Sequence, residues 1–129
     1  MHDSSAPPPS LNGLERLCAQ ALARPATQLA IEFGGQWFSW GDMARVATQV
    51  AALIAASGCP AHAPIGFVPR NRPSAIAALF GLIARGSHVR MIYAFQSPAA
   101  IARDVARLAP AVVIAAAADI SDEVRAVLA

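Results

Sequence analysis

The histidines and cysteines of the sequence offer little that could do chemistry. His2, His62 and His88 stand far apart, and none has a second histidine, cysteine or carboxylate at metal-ligand spacing. Cys18 and Cys59 match no zinc or redox motif. The sequence therefore predicts no metal site. Because Cys18 falls among apolar residues at helical spacing, a buried structural thiol is the favoured interpretation of this residue.

Motifs for nucleophilic catalysis and for phosphate binding are also missing from the sequence. It contains no Gly-x-Ser-x-Gly elbow, no Gly-x-Gly-x-x-Gly run and no lysine. Gly34-Gly35 lacks the further glycines and the following helix of a phosphate loop, so a hairpin turn is the favoured interpretation. Arg70 and Arg72 lie between a short apolar run and a helix, where they could contact an anion. Solvated loop arginines are the favoured alternative.

Composition indicates one soluble, folded domain. The 129 residues are 56% hydrophobic and only 14% charged, which argues for a packed interior rather than disorder. The formal charge of +2 is too small to indicate a nucleic-acid groove. No apolar run is long enough for a membrane span, and the start lacks the features of a signal peptide. We therefore expect a cytoplasmic protein with a flexible, proline-rich lead over residues 1–10.

The middle of the chain has the pattern of a βαβ unit. The apolar runs Ile65–Val68 and Val89–Tyr93 flank a nearly all-apolar helix over Ser74–Ala84. Pro73 suits a first helical turn, and Gly86 suits a left-handed position after the helix. Two strands joined in this way imply a parallel pair with a right-handed crossover. Because the helix is apolar on nearly every side, we expect it to be covered on both faces.

Further elements are predicted before this unit. An amphipathic helix begins at Leu11 and ends near Pro25, and the runs Leu29–Phe33 and Gln36–Trp40 form a β-hairpin. A second helix follows a capping box at Ser39. The two helices are predicted to bury the following residues: Leu14, Leu17, Cys18, Ala21 and Leu22 in the first, and Met43, Val46, Val50, Leu53, Ile54 and Ser57 in the second.

Three more elements are predicted after the βαβ unit. Ser97-Pro98 opens a helix that turns Ile101, Val105 and Leu108 inward. Residues 111–116 form a short buried strand. Ser121, followed by two acidic residues, opens a last helix. The fold class is therefore α/β, with a β-hairpin and a parallel βαβ sheet flanked by helices.

The order of these elements resembles the start of the AMP-forming adenylating enzymes, the superfamily of acyl-CoA synthetases, aryl-CoA ligases, luciferases and peptide-synthetase adenylation domains. Their hairpin ends in a Thr/Ser-Tyr/Trp-x-Glu/Asp-Leu/Met signature, and Ser39-Trp40-Gly41-Asp42-Met43 is similar to it. Their next helix ends in a glycine, as at Gly58. Asn71-Arg72-Pro73-Ser74 resembles the family's Pro-Asn-Ser-x-Glu-Phe, and residues 78–86 resemble its Ala-x-Leu-Gly-x-x-x-Ala-Gly. The resemblance runs over residues 11–129.

The chain departs from the family in two respects. Where the family usually has Val-Pro-Leu-Asp/Asn-Pro, this chain has Arg90-Met91-Ile92-Tyr93-Ala94. The resemblance also implies that the family's Lys-Gly-ending phosphate loop, its acid pocket, its ribose-binding Asp and its catalytic Lys lie further along than these residues. No catalytic, cofactor-binding or metal-binding residue is therefore assigned to any position here.

The resemblance implies a function for a larger enzyme. Residues 11–129 would be the incomplete, N-terminal part of an adenylation domain in a ligase that activates a carboxylic acid with ATP and Mg²⁺ and transfers the acyl group to CoA, as in fatty acid metabolism. This part would be an inactive scaffold that binds none of those cofactors itself. Its partner would be the remainder of the enzyme, or another copy of the chain through exposed apolar surface.

Two alternatives from other functional classes remain open. One is a stand-alone, non-catalytic α/β module that binds a partner or self-associates through its apolar central helix. The other is a small nucleotide-binding domain, which the missing glycine-rich loop disfavours.

Overall fold

The computed structural model describes residues 13–129, and the predicted lead over residues 1–10 lies outside this part. The described residues form an α/β fold with helices on both faces of a parallel sheet. In chain order the elements are α1 (Gly13–Leu22), β1 (Leu29–Phe33), β2 (Gln36–Ser39), α2 (Trp40–Ala56), β3 (Ile65–Phe67), α3 (Pro73–Ala84), β4 (Val89–Met91), α4 (Pro98–Leu108), β5 (Val112–Ile114), a 3₁₀ helix (Ala117–Asp119) and α5 (Asp122–Leu128).

The parallel sheet has the strand order β4-β3-β5. Ile65 in the central strand lies opposite Val89 on one side and Val112 on the other. The predicted parallel βαβ unit is thereby confirmed. Its second strand ends at Met91, two residues earlier than expected, because the chain bends over residues 94–96 towards α4.

The hairpin of β1 and β2 lies apart from this sheet as an antiparallel pair. Gly34 and Gly35 have φ angles of 62° and 81°, so both central residues of the turn are left-handed. A two-residue turn with positive φ at both positions is the primed turn that matches the twist of the strands. The hairpin predicted from Gly34-Gly35 is therefore confirmed.

Helices α2 and α3 cover one face of the parallel sheet. Val50 and Ile54 of α2 and Leu82 of α3 pack against Phe67 in the central strand. Helix α1 packs on the outer side, against α3 and α2. The apolar α3 thus packs against the sheet, against α2 beside it and against α1 on its outer side. This explains why α3 needs no wide polar face.

Helices α4 and α5 cover the opposite face. Ile101 and Val105 of α4 and Val124 of α5 form a second cluster with Val68 and Ile92, which directly follow β3 and β4. The neighbouring residues Phe67 and Val68 therefore belong to opposite clusters, as expected where successive side chains point to opposite faces. Within residues 13–129, no helix combines the length and the apolar character that a membrane crossing needs.

The start of α2 carries the capping box that the sequence predicts. The Ser39 hydroxyl accepts from the Asp42 backbone N–H at 3.1 Å, and the Asp42 carboxylate accepts from the Ser39 backbone N–H at 2.9 Å. Two backbone donors at the end of the helix are therefore satisfied by side chains. These hydrogen bonds also lower the pKa of Asp42, with a smaller contribution from Arg45.

We expect Ser39→Ala to lower the free energy of unfolding by about 0.5–2 kcal/mol, because the first turn of α2 loses its hydroxyl acceptor. Urea denaturation followed by circular dichroism measures this loss. Ser39→Asp is the matched variant, since it keeps an acceptor at the N-cap and should retain most of the stability. Equal losses for both variants would mean that the cap contributes nothing.

The predicted buried faces of the first two helices are partly wrong. Leu14, Leu17 and Leu53 are all more than half exposed, at 58%, 63% and 66%. Glu15 is instead half-buried, with its carboxylate beside Gly86. In each helix, the residues predicted to be buried lie in two adjacent rows along the helix surface. Only one of the two rows faces the neighbouring elements.

The predicted buried strand over residues 111–116 also needs correction. It is formed only by Val112–Ile114, and these residues are half-buried. Strand β5 lies at an edge of the sheet, so within the described part of the chain some of its surface faces solvent.

Candidate ligand crevice at the carboxyl edge of the sheet

The strand order creates a crevice at one edge of the parallel sheet. From β3 the chain passes through α3 to β4 on one side, and then through α4 back to β5 on the other side. The order thus reverses between β3 and β5, and ligands of open α/β sheets bind outside the carboxyl ends of the strands at such a point. The sequence positions just after β3 and β5 are therefore the first place to look for a site.

A cavity of about 160 Å³ lies at this point. Its interior is apolar, with Phe67 and Ile114 at the strand ends and Ala78 on α3. Its polar wall consists of Arg70, Arg72 and Ser74. The remaining wall residues are Val46, Val50, Val68, Ala75, Ala115 and Ala116. The site therefore combines an apolar interior with a basic rim.

Arg70 is held by a partner that follows β5. Its Nε and Nη2 atoms donate to the two carboxylate oxygens of Asp119 at 2.9 and 2.7 Å. This bidentate bond raises the pKa of Arg70. The same bond lowers the pKa of Asp119, against the opposing effect of burial and with help from the charge of Arg72. The favoured prediction of a solvated loop arginine is therefore wrong for Arg70.

Arg70 also touches the segment that follows β4. Its guanidinium carbon lies 5.4 Å from the centroid of the Phe95 ring, within the range of a cation–π contact. Tyr93 packs edge-on against Phe95 with ring centroids 5.8 Å apart. Both rings are otherwise exposed, so the carboxyl edge presents aromatic surface beside the basic rim.

Arg72 fits the prediction of a solvated arginine. It occupies the N-cap position of α3, is exposed, and makes no side-chain capping bond. Pro73 follows at the first helical position and is buried. Because Asp119 neutralises Arg70, the charge of Arg72 leaves the rim positive. This arrangement could accommodate an anionic group, whereas the Asp119 carboxylate is occupied by its bond to Arg70.

The other chemically active residues lie outside the crevice. Cys18 is buried in α1, and the loss of solvation raises the pKa of its thiol. Its predicted role as a buried structural thiol is therefore confirmed. His62 and His88 are both exposed. Across the described residues 13–129, no three histidine, cysteine or acidic side chains are placed so that they could hold a metal ion.

Sequence reasoning missed two residues of this edge, Asp119 and Phe95. Asp119 lies in the sequence Ala-Ala-Ala-Asp, which carries no motif, and Phe95 lies in a loop. Their importance comes from contacts with Arg70 that join positions far apart in the chain. Only the strand order β4-β3-β5 brings the three residues to one edge.

A parallel sheet with helices on both faces and a reversal of strand order between β3 and β5 is an α/β fold of the doubly wound type. The sequence matches the AMP-binding enzyme family over residues 17–129, so the chain belongs to the AMP-binding enzymes. The family expected from Ser39–Met43, Gly58 and residues 71–86 is thereby confirmed. Comparison with curated proteins gives no match.

Solved structures of other proteins share the fold. The anthranilate CoA ligase AuaEII, solved with anthranoyl-AMP, has a TM-score of 0.73 and 15% identity, and the match covers 99% of this chain and 25% of that one. MatB from Rhodopseudomonas palustris, solved without ligand, has a TM-score of 0.70 and 16% identity, and the match covers 88% of this chain and 23% of that one. VinN, solved with 3-methylaspartate, has a TM-score of 0.69 and 19% identity, and the match covers 88% of this chain and 32% of that one. The chain thus spans 23% to 32% of the length of these proteins.

Proposed function

We propose that this chain is the scaffold at the start of an acyl-adenylate-forming ligase. The match to the AMP-binding enzyme family over residues 17–129 carries this proposal. In such a ligase, ATP activates a carboxylic acid as an acyl-adenylate with release of pyrophosphate. The chain's part is to supply the α/β layers against which the reacting segments are placed. We further propose Mg²⁺ as the cofactor that accompanies ATP.

We propose that the catalytic groups belong to other segments of the same enzyme. The family's phosphate loop and catalytic lysine, implied by the resemblance, have no counterpart in a sequence that contains no lysine. The carboxyl-edge crevice likewise offers arginines, Ser74 and apolar side chains, and the Asp119 carboxylate at its rim is paired with Arg70. Residues 1–129 alone should therefore be inactive, and their partner should be the remainder of the ligase.

The acceptor of the acyl group is proposed to be the thiol of CoA. Support comes from the similar fold of AuaEII, which is named as a CoA ligase. A ligase that consumes ATP and CoA works where the cell supplies both, so we propose the cytoplasm as its location.

The test begins with the native polypeptide in its source cell. We expect an immunoblot against this segment to show a band several times heavier than the 129-residue chain. That polypeptide should exchange labelled pyrophosphate into ATP in the presence of a suitable carboxylic acid. It should form a CoA thioester once CoA is added.

Two results would contradict the proposal, and they are distinguishable. A native band at the size of this chain, without exchange, would favour the stand-alone interaction module, for which the exposed Tyr93 and Phe95 rings are a candidate surface. Acid-dependent exchange by residues 1–129 alone would instead show that the catalytic groups lie within this chain. Pyrophosphate exchange without thioester formation would contradict only the proposed transfer of the acyl group to CoA.

A further inference from the structure

Arg70 connects the segments that follow all three strands of the parallel sheet. It comes three residues after the end of β3, it pairs with Asp119 after β5, and it lies over Phe95 after β4. We propose that the Arg70–Asp119 pair is a latch that closes the carboxyl edge over the switch-point cavity. This proposal rests on the geometry of the edge and does not depend on the proposed ligase activity.

The contact has the strength and the position that a latch needs. Both guanidinium bonds to Asp119 are short, and a bidentate pair fixes the relative orientation of its partners as well as their distance. Asp119 is 9% exposed at its side chain and Arg70 is 28% exposed, so the pair is partly shielded from water and salt. Loss of either partner would leave the other poorly solvated where it lies.

The segment that carries Asp119 is weakly held by other contacts. It is a three-residue 3₁₀ helix with bonds from Asp119 N–H to Ala116 and from Ile120 N–H to Ala117. The strand before it, β5, is short and lies at the edge of the sheet. An unpaired Asp119 can therefore reach water by moving this segment, while the core around Leu82 stays folded.

The same movement would open the cavity. Ala115 and Ala116, which form part of the cavity wall, directly precede the 3₁₀ helix, and Arg70 is itself a wall residue. The pair thus spans the rim between the ends of β3 and β5. Opening it would expose the interior near Ala78, which is 4% exposed in the closed arrangement.

Two other ion pairs in residues 13–129 lack this arrangement. Arg45–Asp42 and Arg107–Asp104 each join residues three apart on one helix, with the arginine side chains 66% and 68% exposed. Such pairs hold no separate segments together. Arg45→Met is therefore a matched control for Arg70→Met, because it removes the same charge from an ion pair that lies within one helix.

Hydrogen–deuterium exchange of the intact protein tests the latch. In Asp119→Asn and in Arg70→Met, we expect exchange over residues 92–97 and 115–121 to rise about tenfold, because a charge-assisted contact is lost. Exchange in α3 should stay unchanged. Because each variant breaks the same pair, the double variant should show no further rise. Arg45→Met should leave the peptides after β4 and β5 unaffected.

Access to the cavity is measured separately with a thiol probe. In an Ala78→Cys background, peptide mass spectrometry reports the alkylation rate at this position apart from Cys18 and Cys59. We expect Asp119→Asn to raise that rate about tenfold, in step with exchange. Three results would overturn the latch. The first is a rise in exchange along the whole chain, and the second is a double variant whose rise is the sum of the two single rises. The third is faster exchange of the loops without faster alkylation.

Discussion

Replacement of Leu82 by Ala is expected to lower the free energy of unfolding by about 2–5 kcal/mol, the range for truncation of a fully buried leucine. Leu82 has no exposed surface and lies where α3 meets Phe67 of the central strand. Its loss removes apolar burial and leaves a cavity between a helix that is packed on both sides and the short sheet. Because α1 and α2 rest on α3, the surrounding structure has little freedom to collapse into the space.

Leu53→Ala is the matched control, since it makes the same change in another helix. Leu53 is 66% exposed on α2, so its truncation should alter stability by less than about 0.5 kcal/mol. Urea denaturation of both variants, followed by circular dichroism, gives the comparison. Similar losses in the two variants would contradict the assignment of the core to the face between α3 and the sheet.

Local patterns predicted the central βαβ unit because each of its signals acts over a few residues. Pro73 at the helix start and Gly86 just past its end, with a φ of 69°, fix the limits of α3 without help from distant contacts. The Ser39–Asp42 capping box marks the start of α2 in the same way. The α/β class followed from these signals together with the two apolar runs.

The buried face of α1 could not be fixed in this way. Leu14 and Leu17 lie one residue away from the row of Glu15, Cys18 and Leu22 that turns towards its neighbours. Two rows of this kind differ by about 100° on the helix surface, and the charged Glu15 lies in the row that turns inward, so polarity favours the wrong row. Which row is buried depends on where α3 lies, and that is decided by tertiary packing.

The crevice itself was not predicted from the sequence. The sequence placed Arg70 and Arg72 between a strand and a helix, which is correct, but it could not pair Arg70 with Asp119. That pairing requires the return of the chain through α4 to the far side of β3. Periodicity and turn residues specify elements, whereas strand order depends on which faces the helices cover.

Gly81→Val is expected to destabilise the protein by about 3 kcal/mol, at the upper end of the range for overpacking. A Cβ at Gly81 would lie 2.9 Å from the Cβ of Ala47 and 3.2 Å from its Cα, so α2 and α3 would have to separate. Gly81→Ala should gain about 1 kcal/mol of helix propensity and lose more than that to the contact. We expect its net effect to be a loss of stability.

The close approach of the two helices can be tested with a compensating change at Ala47. Ala47→Gly alone should cost about 1 kcal/mol of helix propensity, but it removes the nearest atom from the contact. The double variant with Gly81→Ala should therefore be more stable than the sum of the single variants predicts. Gly13→Ala is the matched control, because a Cβ there would meet no atom of the described residues 13–129 within 4 Å. If the stability changes of the two single variants simply add in the double variant, the helices adjust without strain. Gly81 would then have no packing role.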